Sequence, residues 1–208
     1  MSQAVQTYFE FFSLPPHLVI DLPALEKSFY ALSRKLHPDR FAARPAAEQE
    51  AALAQSSRLN DAYRTLKDPI ARTEYLLKLE GIELEEQSKS ATEAARTSGT
   101  EKKQLIPPEL LEEVFELNMQ LMEMKAAKDV GDEADPDLKR DLEAAARSFN
   151  EKMSATQRDL ETLWTQWDAA EDANNQAAME AAKEALVTLL NKRSYLRNLV
   201  RDVTAALE

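Results

Sequence analysis

The sequence of 208 residues contains no cysteine, two histidines and three glycines. Without Cys there is no disulfide, no thiolate metal ligand and no cysteine nucleophile. With only His17 and His37, a His-based zinc cage is not expected. Glycine this sparse, far under the usual ~7%, removes the hairpin turns of a sheet-rich fold and the clustered glycines of a dinucleotide or P-loop site. No apolar run approaches the ~18–20 residues of a membrane span. The N-terminus, MSQAVQTYFEFF, lacks the basic-then-apolar order of a signal peptide and the Arg-rich bias of a transit peptide. The expectation is a soluble cytoplasmic protein with no cofactor, no bound metal and no membrane contact.

What the chain has in quantity is Ala, Leu, Glu, Lys and Arg, the composition of an all-α protein. Its net charge of -11 argues against a general nucleic-acid binder. The charge is unevenly placed. Residues 1–80 hold ten basic and ten acidic side chains, and the remaining 128 hold 16 basic against 27 acidic. Two modules with different partners follow. Between them, ELEEQSKSATEAARTSGTEKK has almost no large apolar side chain after Leu84. Such a stretch cannot bury enough surface to offset its ordering entropy. The sequence therefore divides into a first domain over 1–82, a mobile linker over 83–106 and a second domain over 107–208, whose first helix is set by Pro107 and Pro108.

Four helices are predicted in the first domain. A short one covers about Thr7 to Phe12 and stops before Pro15-Pro16. The second starts at Asp21, a good N-cap, and runs to Leu36, with Leu25, Phe29, Leu32 and Leu36 on one face. The third spans about Ala46 to Lys67, with Leu59, Ala62, Tyr63 and Leu66 inward. The fourth spans about Pro69 to Leu79, and Gly81 suits its C-terminal cap.

The second helix must end at His37-Pro38-Asp39, because Pro38 removes a backbone donor and pushes His37 out of the α region. That leaves an exposed His and Asp beside a helix carrying Lys27, Arg34 and Lys35, with Arg40 just after. A tripeptide alone is also what any helix stop and turn would show, and four cations are also an ordinary solvated face. As catalytic groups His37 and Asp39 are poorly placed: residues two apart across a turn are not expected to pair, and no nucleophile or pocket motif accompanies them.

The second domain reads as three helices, over about 108–128, 136–170 and 175–207. Gly131 and Pro136 break the first connection. The second helix carries the stripe Leu138, Leu142, Ala145, Phe149, Met153, Leu160, Leu163 and Trp167. The third carries Met179, Ala182, Leu186, Leu189, Leu196, Val200, Val203 and Leu207. Steps of 3 and 4 favour lengthwise packing, and short connections make neighbours antiparallel. An antiparallel three-helix bundle is the economical architecture. Trp164 and Trp167 read as core or rim aromatics, and Asp168, Glu171 and Asp172 as a solvated helix end.

The first helix of this bundle has more apolar surface than the bundle needs. Leu110, Val114, Leu117, Leu121 and Met124 form one stripe. Leu111, Phe115, Met119 and Met122 form a second, whose centre lies roughly 135° from the first at 100° per residue. Glu112, Glu116 and Glu123 run beside it. An apolar strip with an acidic edge, turned from the core, has the profile of a binding face. The other reading is that this stripe packs on the first domain or widens the core.

YFEFFSLP, a basic amphipathic helix ending LSRKLHPDRF, and a long helix ending LNDAYRTLKDP have the order and spacing of a J domain, a resemblance spanning roughly residues 7–80. LNDAYRTLKDPIARTEYLLKLEG resembles the third and fourth helices of HscB-type (Jac-like) co-chaperones of iron–sulfur cluster assembly, and the helical C-terminal part extends that likeness over nearly the whole chain. The resemblance implies an all-α fold: a four-helix J domain followed by an antiparallel three-helix bundle. It implies a non-enzymatic co-chaperone that stimulates a DnaK/HscA-type chaperone ATPase through His37, Pro38 and Asp39, with Lys27, Arg34, Lys35 and Arg40 as the basic docking surface. Asn60 and Asp61 match a recurrent J-domain pattern.

In the second domain the resemblance implies binding of the scaffold protein IscU, which carries the nascent cluster. The family pattern is close to Leu-Met-Glu-x-Met/Leu-Glu-Leu-Arg-Glu. In this chain Leu111, Phe115 and Glu116 carry over, whereas Glu112 stands for a Met, Asn118 for an Arg and Met119 for an acid. Those departures bear on the exact scaffold contacts. NKRSYLRNL resembles a family segment with an aromatic partner contact at the place of Tyr195. The implied scaffold-binding set is Leu111, Glu112, Phe115, Glu116, Met119, Glu123 and Tyr195. Two alternatives stay open: a J-domain co-chaperone with a different client, and a helical adaptor in which the His-Pro-Asp turn is incidental.

Overall fold

Capping side chains set where several of the helices begin. The structure, a computed structural model, describes residues 6–82, 84, 107–131 and 135–208. Thr7 and Glu10 satisfy each other's backbone N–H groups in a reciprocal capping box at the start of α1 (Tyr8–Phe11). Asp21 accepts from the Ala24 N–H at 3.0 Å and starts α2 (Leu22–Leu36). After a 3₁₀ turn over Pro38–Phe41 comes α3 (Ala46–Lys67). Asp68 accepts from the Ala71 N–H at 2.7 Å, with Pro69 opening α4 (Pro69–Leu79). A second 3₁₀ turn, Pro108–Leu110, leads into α5 (Leu111–Val130), followed by α6 (Pro136–Asp172) and α7 (Gln176–Leu207). Every described element is helical, and no described residue is in a strand. The linker expected over 83–106 lies outside the described residues, Leu84 apart.

The chain forms two compact units. One holds residues 1–83 and 164–183; the other holds 84–163 and 184–208. The sequence boundaries are consecutive, whereas these units interleave, because 164–183, the turn joining α6 to α7 and its flanks, clusters with the N-terminal residues.

In the first unit, Phe9, Leu18, Leu25, Leu59, Leu66 and Leu77 make a closed apolar core. Phe29 stacks on Tyr63 across α2 and α3, with ring centroids 4.2 Å apart, and Tyr8 stacks on Tyr75 at 4.4 Å. The segment after α1 has no regular structure, so its backbone polar groups need partners. Side chains from distant parts of the sequence supply them. Trp167 Nε1 donates to the Pro16 carbonyl at 3.1 Å. The Asp168 carboxylate accepts from the N–H of Leu18 at 2.6 Å and of Val19 at 2.8 Å. Arg72, buried, donates to the carbonyls of Leu18 (3.0 Å) and Leu66. His17 Nε2 meets Asp172 Oδ1 at 3.1 Å, with the Glu171 carboxylate close by.

Asp168 thus corrects one expectation: it is not part of a solvated helix end. Its role is invisible in sequence because its partners are backbone groups some 150 positions away. Burial pushes its carboxyl up from the usual aspartate value, against the Leu18 and Val19 N–H groups and the nearby His17 and Arg72, which favour the charged form. Burial likewise pulls the Arg72 guanidinium down, while Asp168 and Asp68 push it back up.

The second unit is built on three helices. Leu110, Val114, Leu117 and Met124 meet Leu138, Leu142 and Phe149 from α6 and Leu196, Leu199 and Val203 from α7. Gly131, at φ +74°, caps α5 in the left-handed conformation that favours glycine. Lys152 pairs with Glu113 at 3.0 Å, and Lys192 with Glu109 at 3.0 Å. The first pair sets the start of α5 beside the middle of α6. The α7 stripe needs one correction. Leu190 and Leu199 are buried, whereas Leu189 is half-buried and Leu207 is 36% exposed. A helix facing two neighbours buries a wider arc than a single seam of 3 and 4 steps marks out.

The strap over Pro16–Val19 gives a direct test. Asp168→Ala orphans two backbone donors and is expected to lower unfolding stability by roughly 1.5–3 kcal/mol, the range for a hydrogen bond to a charged group; Asp168→Asn, which keeps one acceptor, is expected to lose less. The Asp168 folded-state pKa lies above its unfolded value, so its contribution is greatest below the unfolded pKa and declines as pH rises through the folded one. Urea unfolding from acid to neutral pH should therefore show the advantage of wild type over Asp168→Asn shrinking as pH rises past the ordinary carboxylate range.

Candidate functional site

Two surfaces carry the residues singled out by sequence. The first is the end of α2. His37 leaves the helix in an extended conformation (φ -61°, ψ 128°), as a residue before proline must, and Pro38 opens the 3₁₀ turn that holds Asp39 and Arg40. His37 and Asp39 are both exposed, with side chains 55% and 89% accessible. The Asp39 N–H donates to His37 Nδ1 at 3.3 Å. His37 Nδ1 lies 3.5 Å from Asp39 Oδ2 while it accepts from the Asp39 N–H, so this nitrogen does not donate to the carboxylate as the base of an orienting pair would. The short 3₁₀ turn folds the carboxylate back towards the ring. With Nδ1 accepting from backbone and both groups in water, the pair is a shaped surface feature.

Lys27, Arg34, Lys35 and Arg40 are all exposed. Arg34 and Lys35 occupy the last turn of α2, where cations complement the helix dipole. Arg34 Nε donates to the Tyr30 carbonyl at 3.3 Å, and Arg40 donates to the Arg34 carbonyl at 3.4 Å. Arg40 is thereby folded onto the helix end beside Arg34. Tyr30, 55% exposed on the same helix, adds an aromatic that charge patterning does not single out. Asn60 is exposed and Asp61 half-buried on α3, where Asp61 pairs with Arg64.

The second surface is one face of α5. Leu110, Val114, Leu117 and Met124 are buried to 2% exposure or less, while Leu111, Phe115, Met119 and Met122 are 53%, 69%, 58% and 70% exposed. The two stripes therefore take opposite environments within the second unit. Glu112, Glu116 and Glu123 are exposed and, among the described residues, form no ion pair, whereas Glu109 and Glu113 are engaged by lysines. Glu113 and Glu116 also join Asp141 of α6 along an open groove floored by Leu117 and Phe149. That groove is not legible in sequence, because its acidic walls come from two helices. Tyr195 is not on a free face: it is half-buried against the core beside Leu196, and burial raises its hydroxyl pKa.

These surfaces can recognise partners through charge and apolar contact. No helix among the described residues is long and apolar enough to cross a membrane.

No protein-family model matches the chain. A co-chaperone protein HscB homolog of Vibrio cholerae serotype O1 is 37% identical over 151 residues, 73% of this chain and 73% of that protein. A co-chaperone protein HscB homolog of Neisseria meningitidis is 39% identical over 123 residues, 59% of this chain and 66% of its own length. The solved structure of chaperone HscB from Vibrio cholerae matches with a TM-score of 0.57 at 27% identity, covering 96% of each chain. The human co-chaperone protein HscB, at 23% identity and a TM-score of 0.57, covers 98% of this chain and 83% of its own and shares the fold. With the His-Pro-Asp turn and the helical fold already in place, a relative this similar over almost three quarters of both sequences settles the family: the chain belongs to the HscB co-chaperones.

Proposed function

We propose that this co-chaperone acts in iron–sulfur cluster assembly by stimulating the ATPase of a DnaK/HscA-type chaperone and delivering an IscU-type scaffold protein to it. The observation that carries the reading is the exposure of both surfaces: the His37-Pro38-Asp39 turn with its cations, and an apolar α5 face that the core does not use. Lys27, Arg34, Lys35 and Arg40 steer the α2 surface towards an acidic patch on the chaperone. Pro38 fixes the turn, and His37 and Asp39 are the groups offered to it. Leu111, Phe115 and Met119 form the apolar centre for the scaffold protein, with Glu112, Glu116 and Glu123 as an acidic rim.

Carrying both surfaces on one chain raises the local concentration of client at the chaperone while hydrolysis is triggered. A second reading, a J-domain co-chaperone with a different client, is favoured by one feature. Glu112, Asn118 and Met119 depart from the family pattern where the client contacts are placed.

Three outcomes test this function. His37→Gln and Asp39→Asn should return ATP hydrolysis by the partner chaperone to its basal rate in single-turnover assays, with helical circular dichroism unchanged; stimulation surviving in the folded mutants would overturn the assignment of the turn. Charge reversal at Arg34 and Lys35 should slow association and flatten its dependence on salt, since exposed charges are screened over ~8–10 Å at moderate ionic strength. Stopped-flow rates across a salt series read this directly. Leu111→Ala with Phe115→Ala should shift stability by no more than about 0.5 kcal/mol, as exposed positions do, against about 2–5 kcal/mol for Leu117→Ala in the core. The same double mutant should weaken binding of the scaffold protein by roughly 30-fold or more, the scale of a lost interface anchor, as read by calorimetric titration.

A further inference from the structure

A chain without cysteine leaves its sulfur chemistry to methionine, of which it has six. The described methionines divide sharply by access. Met122 is 70% exposed and Met119 is 58% exposed, whereas Met124, two residues further along α5, is 2% exposed. Met153 and Met179 are half-buried. Oxidation requires the oxidant to reach the thioether sulfur, so reaction order follows exposure. Met119 and Met122 stand three apart and share a helix face, with Phe115 one turn before Met119.

The thioether suits this face because it is apolar and adaptable. Its sulfoxide is a strong, chiral dipole that accepts hydrogen bonds and donates none. Burying it without a donor carries the cost of any unsatisfied polar group.

We propose that Met119 and Met122 form a modification site on α5, at which hydrogen peroxide converts two exposed thioethers to sulfoxides and withdraws the apolar face from its partner. In each step the peroxide O–O bond breaks and one S–O bond forms. Sulfur loses two electrons, and the peroxide is reduced to one water. Reduction by a sulfoxide reductase, with two thiols closing to a disulfide and water released, restores the thioether. Met124 is sheltered in the core, so the fold stays intact while the face changes character. The effect on docking rests on the client-binding reading of α5; the site of oxidation does not.

The test treats the full chain with graded hydrogen peroxide and maps each methionine by peptide mass. Sulfoxide is expected on Met119 and Met122 well before Met124, at an unchanged melting temperature. Met124 or Met153 oxidising as fast would overturn the site. Binding of an IscU-type scaffold protein to the oxidised chain should fall by on the order of tenfold for each sulfoxide. It should recover after treatment with both epimer-specific sulfoxide reductases, and peroxide should leave the affinity of a Met119→Leu, Met122→Leu variant at that variant's own untreated value. Undiminished binding by the oxidised wild type, or equal loss in the Leu variant, would overturn the switch. Failure of the untreated chain to bind the scaffold protein would instead remove the client assignment and with it the switch, while the order of sulfoxide formation still decides the modification site.

Discussion

The strap over Pro16–Val19 depends on side chains that lie far away in sequence, and the first unit depends on that strap. Its backbone has no helix or sheet partners, so Trp167, Asp168 and Arg72 supply them. Arg72 also takes the Leu66 carbonyl near the end of α3, so one guanidinium ties the strap to α3 and α4 together. Leu18, wholly buried, is pinned at both its N–H and its carbonyl. Three residues later Asp21 caps α2. The helix that ends in the His-Pro-Asp turn therefore starts from a fixed point. That anchoring carries a cost: both the carboxylate of Asp168 and the guanidinium of Arg72 are shifted against their charged forms by burial.

Much of the architecture is legible locally. The bounds of α2, the end of α3 and the start of α4 follow from Asp21, Pro38 and Asp68-Pro69, because caps and proline act within a turn of where they sit. The buried and exposed stripes of α5 follow from a 3.6-residue period applied to a helix with two neighbours. Three features escape that reasoning. The Asp168 contacts join residues about 150 apart, the grouping of 164–183 with the N-terminal unit is a matter of packing, and the acidic groove with Asp141 needs two helices at once. Tyr195 shows the same limit. Its angle on a helical wheel leaves it free to reach a surface, yet packing around Leu196 half-buries it.

The candidate surfaces differ in chemistry, and the difference suits different partners. The α2 end is basic, and its distinguishing side chains sit in water, which favours steering and fast exchange. The α5 face is apolar with an acidic edge, which favours a slower-dissociating contact around buried anchors. The proposed function, holding a client while touching an ATPase transiently, would use that asymmetry, and composition alone already sets a neutral stretch over residues 1–80 apart from an acidic remainder.

The most direct measurement of this account is single-turnover ATP hydrolysis by a DnaK/HscA-type chaperone with the chain alone, with an IscU-type scaffold protein alone, and with both. Coupling by one tether predicts a rate with both that exceeds the product of the separate accelerations, and a return to simple multiplication when Phe115→Ala removes the α5 anchor while stimulation by the chain alone persists. Rates that multiply without excess in the wild type would contradict delivery of the client by this chain.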